Sequence, residues 1–342
     1  MRASITTIRQ ENPMLHRRHL IIASVAAATT TAFAPLAQAQ TVIDKPARIV
    51  VGFPAGGAAD AVARQLAQQL AGSYAPTVIV ENKPGAAGRI GAQAVKAGQA
   101  DGSEILVTPA SILTIYPHVY KKLGYDTLAD FIPVTSAATV SFAFSVSSAV
   151  PARVKTVSDY IAWVKTNPKD ANYGSPAAGA TPHFVGVMLG RAAGVQLNHV
   201  PYKGGAPLVS DLLGGQVQAG VNVLSEVLPH ANSGRLRILA VSGSKRSPYL
   251  PDVPTMAESG FKDVAADEYF AVFVPSKTPA EVVAKLNAAV NKALKAKQLN
   301  DALEKMSFDV DGQTQADFAR IVKSELNKWG PVVKASGFTP DE

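Results

Sequence analysis

The chain contains no cysteine. It can therefore form no disulfide, present no thiol nucleophile and offer no thiolate to a metal. Aromatic residues make up 7% of the sequence and charged residues 17%. The lysines and arginines are scattered, with no basic stripe interleaved with aromatics, which argues against nucleic-acid recognition. Beyond the N-terminal region no run is long and apolar enough to span a bilayer. Catalytic signatures are missing too. There is no G-x-x-x-x-G-K-[ST] phosphate loop, no H-E-x-x-H and no G-x-S-x-G elbow. "PGAAGRIG" (84–91) lacks the G-x-G-x-x-G spacing and reads as a turn opening a helix. The histidines beyond residue 39 lie far apart in sequence. No catalytic residue, metal or cofactor is expected, and the chain does not read as an enzyme.

The first 39 residues read as a secretory signal. Arg17 and Arg18 precede the apolar run "LIIASVAAATTTAFAPLA", and Ala37-Gln38-Ala39 offers an A-x-A cleavage site. Met14 is an alternative start that would give a signal of ordinary length. Removing this segment takes away Arg2, Arg9, Arg17, Arg18 and Glu11 and leaves 29 Lys+Arg against 25 Asp+Glu. The expected product is a mildly basic, soluble, exported protein. Single cores stop growing near ~250–300 residues, so a chain of this length should divide into two lobes.

Short β-branched runs alternate with helical ones. "ARIVVGF", "TVIVE" and "SEILVTP" read as strands, with helices over "AADAVARQLAQQLAG" and "GRIGAQAVKAG" between them. The alternation recurs from "ANYGS" through "TPHFVGVMLGRAAG", "LNHVPYK", "PLVSDLLGG" and "VQAGVNV" to "LRILAVSG". Such β-α-β succession implies parallel sheets flanked by helices. Residues 141–154 read as a strand leaving lobe one for lobe two, and residues 268–275 as a strand crossing back. Two crossings make a two-strand hinge with a cleft between the lobes. The expected division is residues 44–143 with 269–342 for lobe one and 144–268 for lobe two. The tail is helical, with Val282, Val283, Leu286, Ala289, Val290 and Leu294 on one face.

In open α/β sheets ligands sit beyond the carboxyl ends of the strands. "RIVVGFPAGGAAD" brings a strand to that edge and turns it into a helix through Pro54, Gly56 and Gly57. The first turn of that helix presents N–H groups without intrahelical partners, toward which an anion is drawn. Asp60 in that turn reads as a helix-end carboxylate stabilised by the dipole. "NYGSPAAGATPHF" repeats the arrangement in lobe two. Thr181 there either caps the helix or meets a ligand, and His183 is either structural or ligand-facing. Tyr202 and Lys203 in "HVPYKG", Ser111 after "SEILVTP", and Asn222 in "AGVNV" stand at the same edge. Two helix starts facing one cleft suit a small carboxylated ligand.

From "FPAGGAADAVAR" onward the sequence resembles the substrate-binding proteins of tripartite tricarboxylate transporters, also called the Bug family. The likeness runs through "ENKPGAAGRIGAQAV", "ADGSEILV", "YDTLADFIPV", "NYGSPAAGATPHF", "HVPYKGGAPLVSDLLGGQV", "GRLRILAVSG" and "DVPTMAESGF" in the family's order. It implies the two-lobed, type II periplasmic binding-protein fold, α/β in class, closing on a ligand like a flytrap. It also implies a carboxylate gripped by two loops, here 53–58 and 175–183. The ligand-binding residues expected on both grounds are Phe53, Ala55, Gly56, Gly57, Ala58, Ser111, Ser175, Gly179, Ala180, Thr181, His183, Tyr202, Asn222 and Tyr269. The implied partners are a small organic carboxylate and the membrane subunits of a transporter, with the protein a periplasmic monomer. A sensor docking on a membrane receptor is the alternative, and a secreted hydrolase using Thr181 and His183 a more distant one. The chain departs from the family where Ala177, Ala178, Gly179 and Ala180 replace a G-N-G-S pattern. Asn222 stands where Asp is common and Tyr269 where Trp is common. These changes are expected to tune specificity.

Overall fold

The computed structural model describes residues 41–340, so the expected signal segment and its cleavage site lie outside the described residues. Strand β1 (Ala47–Val51) pairs in parallel with β2 (Val78–Asn82) and β3 (Glu104–Pro109). Helix α1 (Ala58–Leu70) returns the chain between β1 and β2, and α2 (Arg89–Lys96) between β2 and β3. In α1 the buried positions Ala59, Val62, Ala63, Leu66 and Leu70 recur every three or four residues, which makes the face that covers the sheet. Each such Val or Leu contributes roughly 1.5–3 kcal/mol by leaving water.

After three short helices, α3 (Ser111–Thr114), α4 (Tyr116–Val119) and α5 (Thr127–Asp130), comes β4 (Phe131–Ser147), a strand of 17 residues. Helix α6 (Val157–Thr166) follows, opened by a capping box between Thr156 and Asp159. The second parallel group is β5 (Asn172–Ser175), β6 (Asn198–Pro201) and β7 (Ala219–Val223). It is connected by α7 (Thr181–Ala193) and α8 (Gly205–Leu213). The four-residue α9 (Leu224–Val227) leads to β8 (Leu236–Val241), which pairs antiparallel with β4. Strand β9 (Asp267–Pro275) is followed by α10 (Ala280–Leu294), α11 (Lys297–Glu304), β10 (Asp309–Val310) and α12 (Gln315–Ser336).

The strands run in the order β2-β1-β3-β9-β4-β7-β5-β6. Strands β9 and β4 are antiparallel at its centre. β4 belongs to both groups: Phe131–Ser141 pair with β9, and Phe142–Val146 with β7. Register shifts near Pro133, Ser136 and Phe144 are bulges that let so long a strand curl. This is an α/β architecture of two parallel-rich groups joined by long central strands, as the alternation implies.

The outgoing crossing lies earlier than the sequence suggests. The strand begins at Phe131 and ends at Ser147, whereas 141–154 was the expected span. Residues 131–147 are buried nearly throughout, most of their serines and threonines included, so the strand shows no alternation between core and solvent. Val150 and Pro151 already belong to the turn beyond it. No helix of the described residues is long and apolar enough to cross a membrane.

Candidate functional site

A cavity of about 660 Å3, counting its open mouth, lies where the carboxyl ends of β1, β3, β5, β6 and β7 meet. Loops from both groups wall it. Phe53, Ala55, Gly57, Ala58, Ser111 and Ile112 come from the first, and Pro176, Ala177, Ala180, Pro182, Lys203 and Gly205 from the second. Phe142 of β4 and Glu268 and Phe270 of β9 add the central strands, so the cavity sits at the junction between the groups. The walls are largely apolar with a few polar groups, the usual make-up of a small-molecule site.

Polar groups behind the wall hold its loops in place. Asp60 is buried, and its Oδ2 accepts from the Gly56 N–H at 2.9 Å and from Arg64 Nε at 2.8 Å. Its Oδ1 accepts from Asn82 Nδ2 at 2.9 Å, and the same amide reaches the Phe53 carbonyl at 3.0 Å. Burial alone would raise the Asp60 pKa, but the bonds from Arg64, Gly56 and Asn82 outweigh it and hold the carboxyl below its ordinary value. Asp60 is thus the clasp that fixes the loop. Gly56 makes the turn with φ +85°, where a side chain would be strained. In the second loop the Gly179 N–H donates to His183 Nδ1 at 3.0 Å.

Two carboxyl groups dominate the cavity's electrostatics. Glu268 is 4% exposed. Its Oε1 accepts from the Ser111 N–H at 3.2 Å, and its Oε2 from Thr181 Oγ1 at 2.8 Å. Glu226, half-buried because it opens onto the cavity, rests against the first residue of α8. A Cβ added at Gly205 would collide with its carboxylate. Asn222 Nδ2 donates to Glu226 Oε2 at 3.2 Å, and weaker backbone contacts come from Ala58 and Val223. Glu226 therefore meets the first turns of both α1 and α8, where partial positive charge concentrates. Burial pushes the Glu268 carboxyl up to about 7 and the Glu226 carboxyl up to about 6. Neither carboxylate forms an ion pair with a described residue. Lys203, exposed, is the single cation in the lining.

Of the residues singled out from the sequence, the structure brings Phe53, Ala55, Gly57, Ala58, Ser111 and Ala180 together in the cavity wall. Gly56, Ser175, Gly179, Thr181, His183, Tyr202, Asn222 and Tyr269 stand behind that wall. Thr181 neither caps its helix, whose N-cap is Ala180, nor lines the cavity; it reaches the site through Glu268. His183 stacks on His199 with ring centroids 3.9 Å apart and meets Phe338 edge-on, bordering an outer groove. Ser175 Oγ lies 2.7 Å from His199 Nε2. Burial drives His183 down to about 3, with His199 adding to the shift, and drives His199 to about 4. The Tyr202 hydroxyl donates to Asp211 at 2.8 Å. Tyr269 packs on Phe318, because alternation along β9 sends Glu268 and Phe270 to the cavity and Tyr269 away from it. The same alternation makes Val223 a wall residue in place of Asn222. Sequence reasoning passed over Glu226 and Glu268. The period-two pattern of "DEYFAVFVP" was the available signal for Glu268, whereas Glu226 sits on a four-residue helix with no periodicity to read. Among the described residues no three His, Asp or Glu side chains come together to hold a metal.

The chain has clear relatives. The family described as "Tripartite tricarboxylate transporter family receptor" matches residues 62–338. Protein BugT of Bordetella pertussis is 32% identical over 321 residues, which is 94% of this chain and 98% of that protein. The solved structure of the periplasmic binding protein BugD superposes with a TM-score of 0.80 at 32% identity, over 87% of this chain and 100% of that one. The structure of Rpa4515 of R. palustris with adipate superposes with a TM-score of 0.82 at 32% identity, over 87% of this chain and 99% of that one. The two-lobed periplasmic binding-protein fold follows, and the family is one of solute-binding receptors, not of enzymes. The chain belongs to the tripartite tricarboxylate transporter receptor family.

Proposed function

We propose that this protein is exported to the periplasm, with cleavage after Ala39, and there captures a small organic carboxylate in the central cavity. It then presents the closed, loaded form to the membrane subunits of a tripartite tricarboxylate-type transporter. The observation that carries this reading is the cavity's composition: loops from both parallel groups and both central strands wall one space. A solute there touches both lobes, taken as residues 44–143 with 269–342 and residues 144–268. Closure is favoured only by as much as the solute binds the closed arrangement better than the open one. Excluding water strengthens every polar contact inside. The adipate in Rpa4515 supports the choice of a carboxylate.

The test is a thermal-shift screen of residues 40–342 against mono-, di- and tricarboxylates, aromatic acids and amino acids. A solute at 100 times its dissociation constant adds about 2.7 kcal/mol to stability. Gly57→Trp should remove the shift. A Cβ at Gly57, which lines the cavity, meets nothing closer than the Pro54 carbonyl at 3.7 Å, and circular dichroism of the variant checks that it folds. No shift with any acid overturns the reading.

A further inference from the structure

The second loop is held from outside the cavity by residues of the first group. Ala177 and Ala180 line the cavity, whereas Ala178 borders the outer groove. The Tyr120 hydroxyl donates to the Ala178 carbonyl at 3.1 Å. Val119 crowds the next residue, Gly179, so closely that a Cβ there would lie 2.9 Å from it. Tyr120 is buried, and the Arg89 guanidinium lies over its ring, 3.8 Å from the centroid. A tight turn aims that arginine. Its Nε donates to the Ala86 carbonyl at 3.0 Å, and the Ala87 carbonyl accepts from the Tyr116 hydroxyl at 2.9 Å. Ala86 and Ala87 both take positive φ, +46° and +52°. For residues with a side chain this is strained, and it persists only where the surroundings over-determine it. Tyr116 in turn meets Tyr120 edge-on with ring centroids 4.9 Å apart.

We propose that Tyr120, steadied by Arg89, is a closing clasp: a positioning residue that ties the second loop to the first group through Ala178 and sets how readily the lobes close on any solute. This rests on the two-lobed closing in the reading above, in which Tyr120 lies in residues 44–143 and Ala178 in residues 144–268. Neither residue lines the cavity, so the bond needs no solute to form. Closing exchanges the water on the phenol hydroxyl and on the carbonyl for one bond between them, a small net gain. That gain belongs to the closed form alone and shifts the open–closed balance by its own worth. Apparent affinity scales with the closed fraction, so the clasp acts on every solute by one common factor. A bond within one lobe has no such leverage. The Tyr74 hydroxyl, for example, donates to the Gly102 carbonyl at 2.9 Å, and both residues lie in 44–143.

The chain has no cysteine, so Gln68→Cys on α1 and Ser210→Cys on α8 supply two unique thiols for spin labels. Both positions are exposed. Pulsed electron–electron double resonance then reads the closed-to-open ratio of the solute-free protein. Tyr120→Phe should lower that ratio about three- to tenfold, the worth of one neutral hydrogen bond. Arg89→Gln, which leaves the hydroxyl in place, should lower it by less. In calorimetry Tyr120→Phe should weaken every solute found in the acid screen by one common factor, no larger than that, and leave their ranking unchanged. Tyr74→Phe loses a bond of the same kind inside one lobe. It should lower stability in urea yet leave both the ratio and the affinities at the parent values. Circular dichroism checks that each variant is folded. A ratio unchanged by Tyr120→Phe, a loss that differs from solute to solute, or an equal change in ratio with Tyr74→Phe overturns the clasp and leaves the solute-binding reading standing. The absence of binding by any acid overturns that reading, and the spin-label ratio alone then decides the clasp.

Discussion

The start of helix α7 separates two titratable pairs, each with one buried and one half-buried member. On its inner side Thr181 reaches Glu268, which shares the cavity with Glu226. Two residues on, at the outer side, His183 stacks on His199. Burial drives both pairs toward their neutral forms, so neither burial nor a shifted pKa tells them apart. Position does. His183 Nδ1 holds the Gly179 N–H and His199 Nε2 meets Ser175 Oγ, and both rings border the outer groove. The glutamates, also hydrogen-bonded, line the central cavity that loops of both groups wall. A perturbed group bears on binding only where it meets the space a solute enters.

The comparison breaks most sharply on stability. His183→Ala removes the acceptor for Gly179, the stack with His199 and the contact with Phe338. It should cost about 2–4 kcal/mol, read by urea denaturation. Glu268→Gln should do the reverse: at pH 8 the unliganded protein should gain about 1–3 kcal/mol, because a buried uncompensated charge is gone. Equal losses from the two changes would show that the glutamates, too, are structural.

The pH dependence of stability should carry both signatures with opposite signs. Glu226 and Glu268 have raised folded values of about 6 and about 7. The native state holds their protons where the unfolded chain has lost them, so their contribution is full below the unfolded value near 4.5 and is lost as pH rises toward 7. The slope is up to about 1.4 kcal/mol per pH unit for each group. His183 and His199 have lowered values of about 3 and about 4. Here the unfolded chain holds the protons, so their contribution is full above about 6.5 and is lost as pH falls. The two trends oppose each other between pH 4.5 and 6.5. Denaturation curves of Glu268→Gln should rise more steeply with pH there than those of the parent. An unchanged slope would contradict the assignment.

Smaller effects sharpen the contrast. Asp60→Asn weakens the clasp on Gly56 and Arg64 and should cost about 1–2 kcal/mol at pH 7, measured by chemical denaturation. Ser111→Ala removes a buried hydroxyl beside the Glu268 carboxyl and should cost about 0.5–1.5 kcal/mol, read by chemical denaturation. An unchanged stability would mean that the hydroxyl gives Glu268 nothing.

Much of this was legible in the sequence, and the exceptions have a shared cause. The strand-to-helix loops were readable because Pro54, Gly56 and Gly57, or Gly179 and Thr181, punctuate an apolar run just before a helical period. The return strand was readable within a residue, since "EYFAVFVP" is β-branched, aromatic and bounded by proline. Helix α6 was missed although Thr156 and Asp159 carry the capping-box spacing. The remaining differences are ones of facing. Side chains along a strand alternate, so Tyr269 and Asn222 lie one residue away from Glu268 and Val223, which line the cavity. Glu226 could not be found from spacing at all, since its partners Ala58 and Gly205 reach it only through the folded sheet.

The most direct test of the central claim, that the glutamates face the solute and the histidines do not, counts the protons exchanged on binding. Calorimetry near pH 7 in buffers of differing ionisation enthalpy gives that number for the tightest-binding solute. A charged solute set beside the glutamates changes their pKa values, so binding should exchange protons, and Glu268→Gln should reduce the exchange. The histidines, neutral before and after, should contribute none, and replacing His199 with Gln should leave the count unchanged. No exchange, or a count that depends on His199 and not on Glu268, would contradict the account.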